Sequence, residues 1–585
     1  MNTQKGTIIK KAIQNVPVAP NITTYTKTYK VFTWQKAEKE LIEFFPDGTL
    51  NIAYNCVDRH AKGKNKNKAA ILFESADGDK EVYSYAKLKK LTDKFANVLT
   101  SYDVHKGDRV FLFVPAIPER VVAFLGTLKV GAIAGVLFSA FQEMALSDRL
   151  SDSEAKVVIT TASLYPRIEK IWKDLPHLEK VIIIGRGSVT KPVGENIISY
   201  EEEMKKASDN FAIAHMQKED YSYMLYTSGT TGKPKGVVHS HYDVLQAMVT
   251  TKYVLDLHED DVYWCTADLG WVTGVVYGVL GPMGLGSTSV LYEGRFNPEN
   301  WHTLLAEYKV TVWYTAPTAI RLLMGATVDV KGFNLSSLRH LCSVGEPLNP
   351  EAIWWGLETY GLAFHDTWWQ TELGGISITN YPALDIKPGS MGKPLPGIKA
   401  AIIDDEGKEV PVGEEGHLAL KASTVSSLMK TIWHNKAKFD SYFNGQWYLS
   451  GDKAYQDKDG YFWFIGRADD VINTAGERVG PFEVESALVE YPDVVEAGVI
   501  GKPDPVRGEI IKAFVVIKPG VEQNDELKEK LKIHVKKHLA GHAYPREIAF
   551  IDKLPKTRSG KIMRRILKAK ELGQEVGDTS TLEEY

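Results

Sequence analysis

Between Tyr221 and Met248 the chain reads YSYMLYTSGTTGKPKGVVHSHYDVLQAM, and its chemistry is concentrated there. An apolar run ends in a loop of Thr, Ser and Gly, and a helical pattern follows from about Ser240. The glycines Gly229 and Gly232 let backbone N–H groups approach an anion. With hydroxyls from Thr227, Ser228, Thr230 and Thr231 and the cation Lys233, the loop is a chemical cradle for phosphates. It departs from the Walker A spacing, because only two residues separate the glycines and Lys233 is followed by Pro234. Over a shorter stretch, a plain turn rich in Gly and Thr would explain the same composition.

Strands and helices must hold such a loop. Short apolar runs at Arg109–Val114, Lys156–Thr160, Lys180–Gly185, Ser287–Tyr292, Thr311–Thr315 and His340–Val344 read as buried strands alternating with helical patterns. That alternation predicts α/β layers with a largely parallel sheet. After about Gly466 the pattern changes. Val495–Gly501 and Glu509–Ile517 read as strands, and Leu527, Leu531, Val535 and Leu539 recur at i, i+4 along a helix with a Lys-rich opposite face. The division expected is an extension over residues 1–30 wrapped loosely on the body, a large layered α/β domain over 31–468, and a small mobile α+β domain over 469–585. The segment GRADDVINTAGERV, 466–479, has the charged and small residues of a joint between two bodies. The run KGKNKNK at 62–68 reads as a solvated loop.

Bulk properties exclude more than they identify. The chain has 585 residues, enough to bury a large core. Its 70 basic and 74 acidic residues leave a net charge of −4, without the basic excess of a nucleic-acid binder. Cys56, Cys265 and Cys342 are odd in number and widely spaced, which points to a reducing compartment. The most apolar stretch, Val121 to Phe141, contains Lys129 and reads as a buried helix and strand rather than a membrane span. The N-terminus lacks the apolar core of a secretory signal. A cytoplasmic protein with no membrane partner is expected.

Six segments in order carry a resemblance: YTSGTTGKPKG at 226–236, SVGEPLN at 343–349, DTWWQTELGG at 366–375, YLSGDKA at 448–454, GRADDVINTAGERV at 466–479 and LPKTRSGKIMRR at 554–565. The chain resembles the adenylate-forming superfamily of acyl-CoA synthetases, peptide-synthetase adenylation domains and luciferases. Within it the likeness is to the AMP-forming acetyl-CoA synthetases. The resemblance implies that ATP activates a short carboxylate, acetate first and propionate second, as an acyl-AMP that coenzyme A then converts to acyl-CoA. Two anions must meet in the first step while pyrophosphate leaves, so cations are required between them.

By resemblance, Lys561 bridges the substrate carboxylate and the α-phosphate, Arg478 reaches the phosphate from the joint, and Thr371 and Glu372 serve the α-phosphate and a Mg²⁺ ion. Gly345, Glu346 and Pro347 would give the purine a backbone shelf, with Asp366, Thr367, Trp368 and Gln370 around the nucleotide and Asp452 and Arg467 on the ribose. Val272, Thr273, Val344 and Trp369 would line the acyl pocket, with the tryptophan as its floor. Asp469 matches the hinge on which the small domain turns between half-reactions, bringing Ala475 and Gly476 to the pantetheine. Lys536, and less closely Arg167, are offered to the CoA nucleotide, and the backbone of Val489, Tyr491 and Val494 to a second cation.

Taken one at a time these residues have plainer readings. Lys561 sits in a run of surface bases, Asp452 in a Ser-Gly-Asp turn, Thr371 where a helix cap would, and Trp368–Trp369 where core aromatics would. Among rival functions, a peptide-synthetase module needs a carrier domain, for which the short stretch after Lys561 leaves no room. A luciferase needs a wide aromatic pocket that Trp369 would close, and a medium-chain or branched-acid ligase needs a smaller residue at that position. A non-catalytic nucleotide binder would tolerate loss of Lys561 or Arg478. In relatives, acetylation of the lysine matching Lys561 removes its charge, which implies a lysine acetyltransferase and deacetylase as partners.

Overall fold

The structure is a computed structural model that describes residues 8–11, 18–186, 194–227, 234–474, 477–539, 543–557, 561–576, 579 and 582. Two large mixed sheets form the body. The nine-stranded sheet runs Lys393–Pro394, Ile378–Thr379, Phe364–Trp368, His340–Val344, Val312–Thr315, Val262–Cys265, Thr288–Tyr292, Ala69–Glu74, Lys80–Ser84. Its inner strands pair in parallel and its edge strands antiparallel. The eight-stranded sheet is parallel from Tyr221–Thr227 through Ile133–Val136, Arg109–Phe113, Val157–Thr161 and Lys180–Ile184 to Ile197–Ser199. Residues of Val157–Thr161 are buried on both faces, as helix-covered parallel strands require, which explains their unbroken apolar runs.

The apolar stretch noted above folds as the helix Pro118–Val130 and the strand Ile133–Val136. Its single charge is compensated internally: Lys129 Nζ lies 2.8 Å from Asp58 and 2.5 Å from Asp93, all three buried. Among the described residues, no helix is long and apolar enough to cross a membrane. The three cysteines carry no disulfide.

The main departure from the sequence reading follows the phosphate loop. Lys235–Ser240 is a strand antiparallel to Tyr221–Thr227, while helical structure does follow from Ser240, which caps the 3₁₀ turn His241–Asp243 leading into the helix Val244–Tyr253. The segments flanking the loop therefore pair as an antiparallel hairpin, and a strand stands between the loop and the helix. Ser228, Gly229, Thr230, Thr231, Gly232 and Lys233 lie outside the described residues. The N-terminal segment also differs from a loose wrap. Ile9 bridges to Ile386, Tyr25 is buried against Tyr381 and donates its hydroxyl to the Pro394 carbonyl at 2.7 Å, and Asn21 bonds Asp256.

A third, antiparallel sheet holds Trp447–Gln456 and Phe462–Arg467, whose register places Asp452 opposite Arg467. The fourth begins with Ile472–Thr474 and Glu477–Val479, then the long hairpin Val494–Asp504 and Gly508–Ile517, with Glu547–Phe550 alongside. Helices Pro481–Val489 and Asp525–His538 pack against it around a separate apolar core. The second half of the expected joint is thus a hairpin of this small lobe. Its tip, Ala475 and Gly476, is outside the described residues.

Candidate active site

A cleft lies between the carboxyl ends of the large-lobe strands and the small lobe. It is lined by Gly345, Glu346, Pro347, Asp366, Thr367, Trp368, Trp369, Gln370, Asp452 and Arg467 from one side, and by Phe482, Glu485, Val489, Lys561 and Arg564 from the other. Ligands of open α/β sheets bind at such strand ends. The neighbouring parallel strands His340–Val344 and Phe364–Trp368, with Ser343 opposite Asp366, deliver most of the large-lobe wall.

Its shelf is built rigidly. Gly345 takes φ +95°, which a side chain would strain. The next residue, Glu346, accepts from Thr318 Oγ1 at 2.7 Å and Arg321 Nη2 at 2.6 Å, so its carboxylate is turned to anchoring and the backbone is left for a ligand. Asp366 is buried and accepts from Ser343 Oγ at 2.7 Å. Burial pushes its pKa up to about 7, against the pull of that hydroxyl.

Asp452 gathers three groups from two segments that sequence places far apart. It accepts from Arg467 Nη1 at 2.9 Å, Trp368 Nε1 at 2.9 Å and Gln370 Nε2 at 3.4 Å. Burial raises its pKa, and Arg467 works against that rise. Gly451, at φ +73°, leaves room for the guanidinium, since a Cβ there would stand 3.0 Å from Arg467 Nη2. Tyr448 donates to Gln370 Oε1 at 2.8 Å and so completes the network.

Thr371 and Glu372 begin a short turn, Thr371–Leu373, next to the cleft-lining Gln370. The Thr371 carbonyl lies 2.8 Å from His239 Nε2, whose Nδ1 is 2.7 Å from Asp243. Because the carbonyl can only accept, Nε2 carries a proton toward it. Glu372 accepts from Tyr442 at 2.9 Å, and Lys235 Nζ donates to the same hydroxyl at 3.1 Å. A carboxylate beside a threonine hydroxyl is the hard-oxygen donor set that magnesium takes, so these residues fit that ion.

Trp369 stands edge-on to Tyr277 at 5.1 Å, and Tyr277 edge-on to Tyr314 at 5.6 Å. Tyr277 is itself fixed by Thr250 and by the Ile376 N–H. Val272, Val344 and Trp369 belong to one apolar cluster, and Thr273 is buried beside Val272 in the helix Val272–Val275. Val272, Thr273, Val344, Thr371 and Glu372 stand outside the cleft lining itself, on elements that adjoin it.

On the small lobe, Lys561 is held by its backbone. Its N–H donates to Thr557 Oγ1 at 3.1 Å and its carbonyl accepts from Thr557 N–H at 2.8 Å. The residue keeps exposed surface, yet crowding of its ammonium by the cleft, and then Arg467, lower its pKa, while Asp452 and Asp470 oppose the fall. Arg564 forks onto Glu485, with Nε 2.9 Å from Oε1, and Asn349 Nδ2 donates across the lobes to Ser486 at 2.8 Å. Asp469 lies in the turn after Arg467, 3.8 Å from its Nε.

Of the remaining expected residues, those whose side chains are described lie outside the cleft lining, Val489 apart. Arg478 pairs with Asn473 across the small hairpin, and its side chain is outside the described residues. Lys536 lies over the Tyr544 ring at 5.4 Å, and Arg167 Nη1 holds the carbonyls of Ser139 and Phe141. Of Val489, Tyr491 and Val494, only Val489 lines the cleft, and the Tyr491 carbonyl already accepts from the Val494 N–H at 3.0 Å. Sequence reasoning missed Arg321, His239, Asp243 and Tyr442. His239 and Asp243 stand directly after the phosphate loop, but nothing local marks their link to the Thr371 carbonyl, which is 132 residues from His239.

Comparison with known proteins agrees with this geometry. Residues 57–433 match the AMP-binding enzyme family and residues 483–561 the AMP-binding enzyme C-terminal domain. The chain is 53% identical to the acetyl-coenzyme A synthetase of Bacillus subtilis (strain 168), over 98% of this chain and 100% of that one. It is 43% identical to the acetyl-coenzyme A synthetase of Methanothrix thermoacetophila, covering 94% and 88%. Among solved structures, an anthranilate CoA ligase in complex with anthranoyl-AMP superposes with a TM-score of 0.83 at 32% identity, covering 90% of this chain and 98% of that one. A Brucella canis acyl-CoA synthetase gives 0.74 at 35% identity, covering 94% and 99%. The chain belongs to the AMP-binding enzyme family, in the branch of the acetyl-coenzyme A synthetases.

Proposed function

We propose that this chain is an acetate–CoA ligase that forms AMP: acetate and ATP give acetyl-AMP and pyrophosphate, and coenzyme A then takes the acetyl group and releases AMP. The observation that carries the reading is Lys561 facing Asp452, Arg467 and the Glu346 shelf across one cleft. In the first step a carboxylate oxygen of acetate attacks the α-phosphorus and the bond to pyrophosphate breaks. Lys561 lies where its charge offsets the repulsion between the two anions, and Arg478 is assigned to the phosphate. Thr371 and Glu372 would hold the magnesium ion that accompanies ATP and supplies further neutralisation. Asp452 and Arg467 orient the ribose, and Gly345–Pro347 and Asp366–Trp368 the base.

The second step needs other groups at the same carbon. The CoA sulfur attacks the acyl carbonyl and the bond to AMP breaks, with no role for Lys561. Rotation about Asp469 would exchange Lys561 for the hairpin tip carrying Ala475 and Gly476. Since Lys561 is a single accessible charge, its acetylation by a lysine acetyltransferase, reversed by a deacetylase, would stop the first step only. Use of ATP and CoA, together with three unpaired cysteines, supports a cytoplasmic location.

Substrate size follows from the aromatic wall. An added CH₂ gains only about 0.8 kcal/mol by burial, whereas forcing one into a rigid site costs roughly 1–3 kcal/mol. With Trp369 braced on Tyr277, acetate is preferred, propionate comes second, and turnover falls steeply at butyrate. The test is AMP release across straight-chain acids, with and without CoA. Trp369→Gly should move preference toward longer acids by about a hundredfold in relative kcat/KM. Equal turnover of octanoate and acetate by the unaltered enzyme would overturn the assignment.

A further inference from the structure

Away from the cleft, three metal-ligating side chains converge at one end of the small lobe. Glu490 directly follows the helix Pro481–Val489, and His534 and His538 stand one turn apart at the end of helix Asp525–His538. One donor atom from each lies within 4.8 Å of the others. His538 Nδ1 is 2.7 Å from the His534 carbonyl, so it carries the proton and donates. Its Nε2 is left with a lone pair, facing Glu490 Oε2 at 3.9 Å. A carbonyl that fixes the tautomer in this way is the outer support that metal-binding imidazoles use.

The spacing favours an ion over a direct contact. At 3.9 Å the imidazole and carboxylate are too far apart for a hydrogen bond. Ligands of a tetrahedral zinc ion at about 2.0–2.1 Å stand roughly 3.3 Å apart, so small side-chain rotations close the set. Positions i and i+4 put both imidazoles on one helix face, and their rings already lie 4.0 Å apart, with Tyr491 edge-on to His534. The Glu490 side chain is 16% exposed and that of His538 31%, which shelters the site yet leaves it a water.

We propose that Glu490, His534 and His538 bind a divalent transition-metal ion of the zinc class, with water as fourth ligand. Two imidazoles and one carboxylate select such an ion over magnesium, which sets the site apart from the carbonyls of Val489, Tyr491 and Val494. The ion would tie the helix Asp525–His538 to the end of Pro481–Val489, whose Glu485 and Val489 line the cleft. It would brace the small lobe from behind.

The experiment uses the full chain, stripped with a chelator and titrated with Co²⁺. One equivalent should give the ligand-field absorption of a four-coordinate ion, displaced by Zn²⁺ and untouched by Mg²⁺, and Zn²⁺ should raise the melting midpoint. His538→Ala and Glu490→Gln should each weaken Co²⁺ binding at least tenfold while melting like the parent when metal-free. Absence of the absorption at one equivalent would overturn the proposal. So would unchanged affinity in the His534→Ala/His538→Ala double variant, which would assign the ion to other members of the 15 histidines.

Discussion

The two walls of the cleft are made differently. On the large-lobe side three carboxylates are held from behind: Glu346 by Thr318 and Arg321, Asp366 by Ser343, Asp452 by Arg467, Trp368 and Gln370. On the small-lobe side Lys561 is fixed only through its backbone to Thr557, and among the described residues its ammonium makes no hydrogen bond. The contrast separates two tasks. A nucleotide present through both half-reactions needs a preorganised wall, while a charge needed in only one is better carried by a flexible stem that can leave.

Removing Lys561 should produce the largest effect and the cleanest test of that division. Lys561→Ala should slow acetate-dependent pyrophosphate exchange by about 10³-fold, or about 4 kcal/mol of transition-state stabilisation. Conversion of supplied acetyl-AMP to acetyl-CoA should survive, and the melting midpoint should not move. Equal loss of both half-reactions would erase the distinction between the walls. On the opposite wall, Asp452→Asn should behave the other way round. Weakening a buried charge-assisted bond costs about 2 kcal/mol, so KM for ATP should rise about 30-fold and the melting midpoint should fall. A variant with normal stability and normal KM would show that the network on Asp452 is incidental.

What sequence showed and what it concealed follow the same line. The strands Val157–Thr161 and His340–Val344 were legible because burial on both faces leaves an unbroken apolar run. The shelf and ribose residues stood out only as motifs of the family resembled: Gly345 takes a positive φ, whereas Asp452 and Arg467 face each other on paired strands, a register no local pattern announces. The strand Lys235–Ser240 was not legible. Its pattern, KGVVHS, is short, and what makes it a strand is pairing on both edges, with Tyr221–Thr227 and with Thr431–Ile432. Supports were hidden for a related reason. Arg321 meets Glu346 and Tyr442 meets Glu372 only after distant segments are brought together, and a lone Arg or Tyr carries no local sign of its partner.

The smallest predicted effect probes the rigid wall through a proton. Asp366 has a pKa of about 7 because burial disfavours its charge. Its folded pKa lies above its unfolded one, so the native chain holds a proton that the unfolded chain gives up. Stability from this group is therefore greatest below the ordinary aspartate range, declines as pH rises toward about 7, and is flat above. Asp366→Asn should abolish that decline, making the variant's stability less pH-dependent than the parent's between about pH 4 and 7. The ionised carboxylate can accept from the amino group of adenine, whereas the neutral acid offers a weaker acceptor. Nucleotide binding should then expel the proton, and KM for ATP should fall by up to about tenfold between pH 6 and 8 in the parent. The Asn variant titrates no group at this position, so comparing the two profiles cancels the ionisation of the nucleotide's own phosphates. Parallel KM profiles would mean that Asp366 serves the fold of the strand end alone, and that the base is held by the shelf without it.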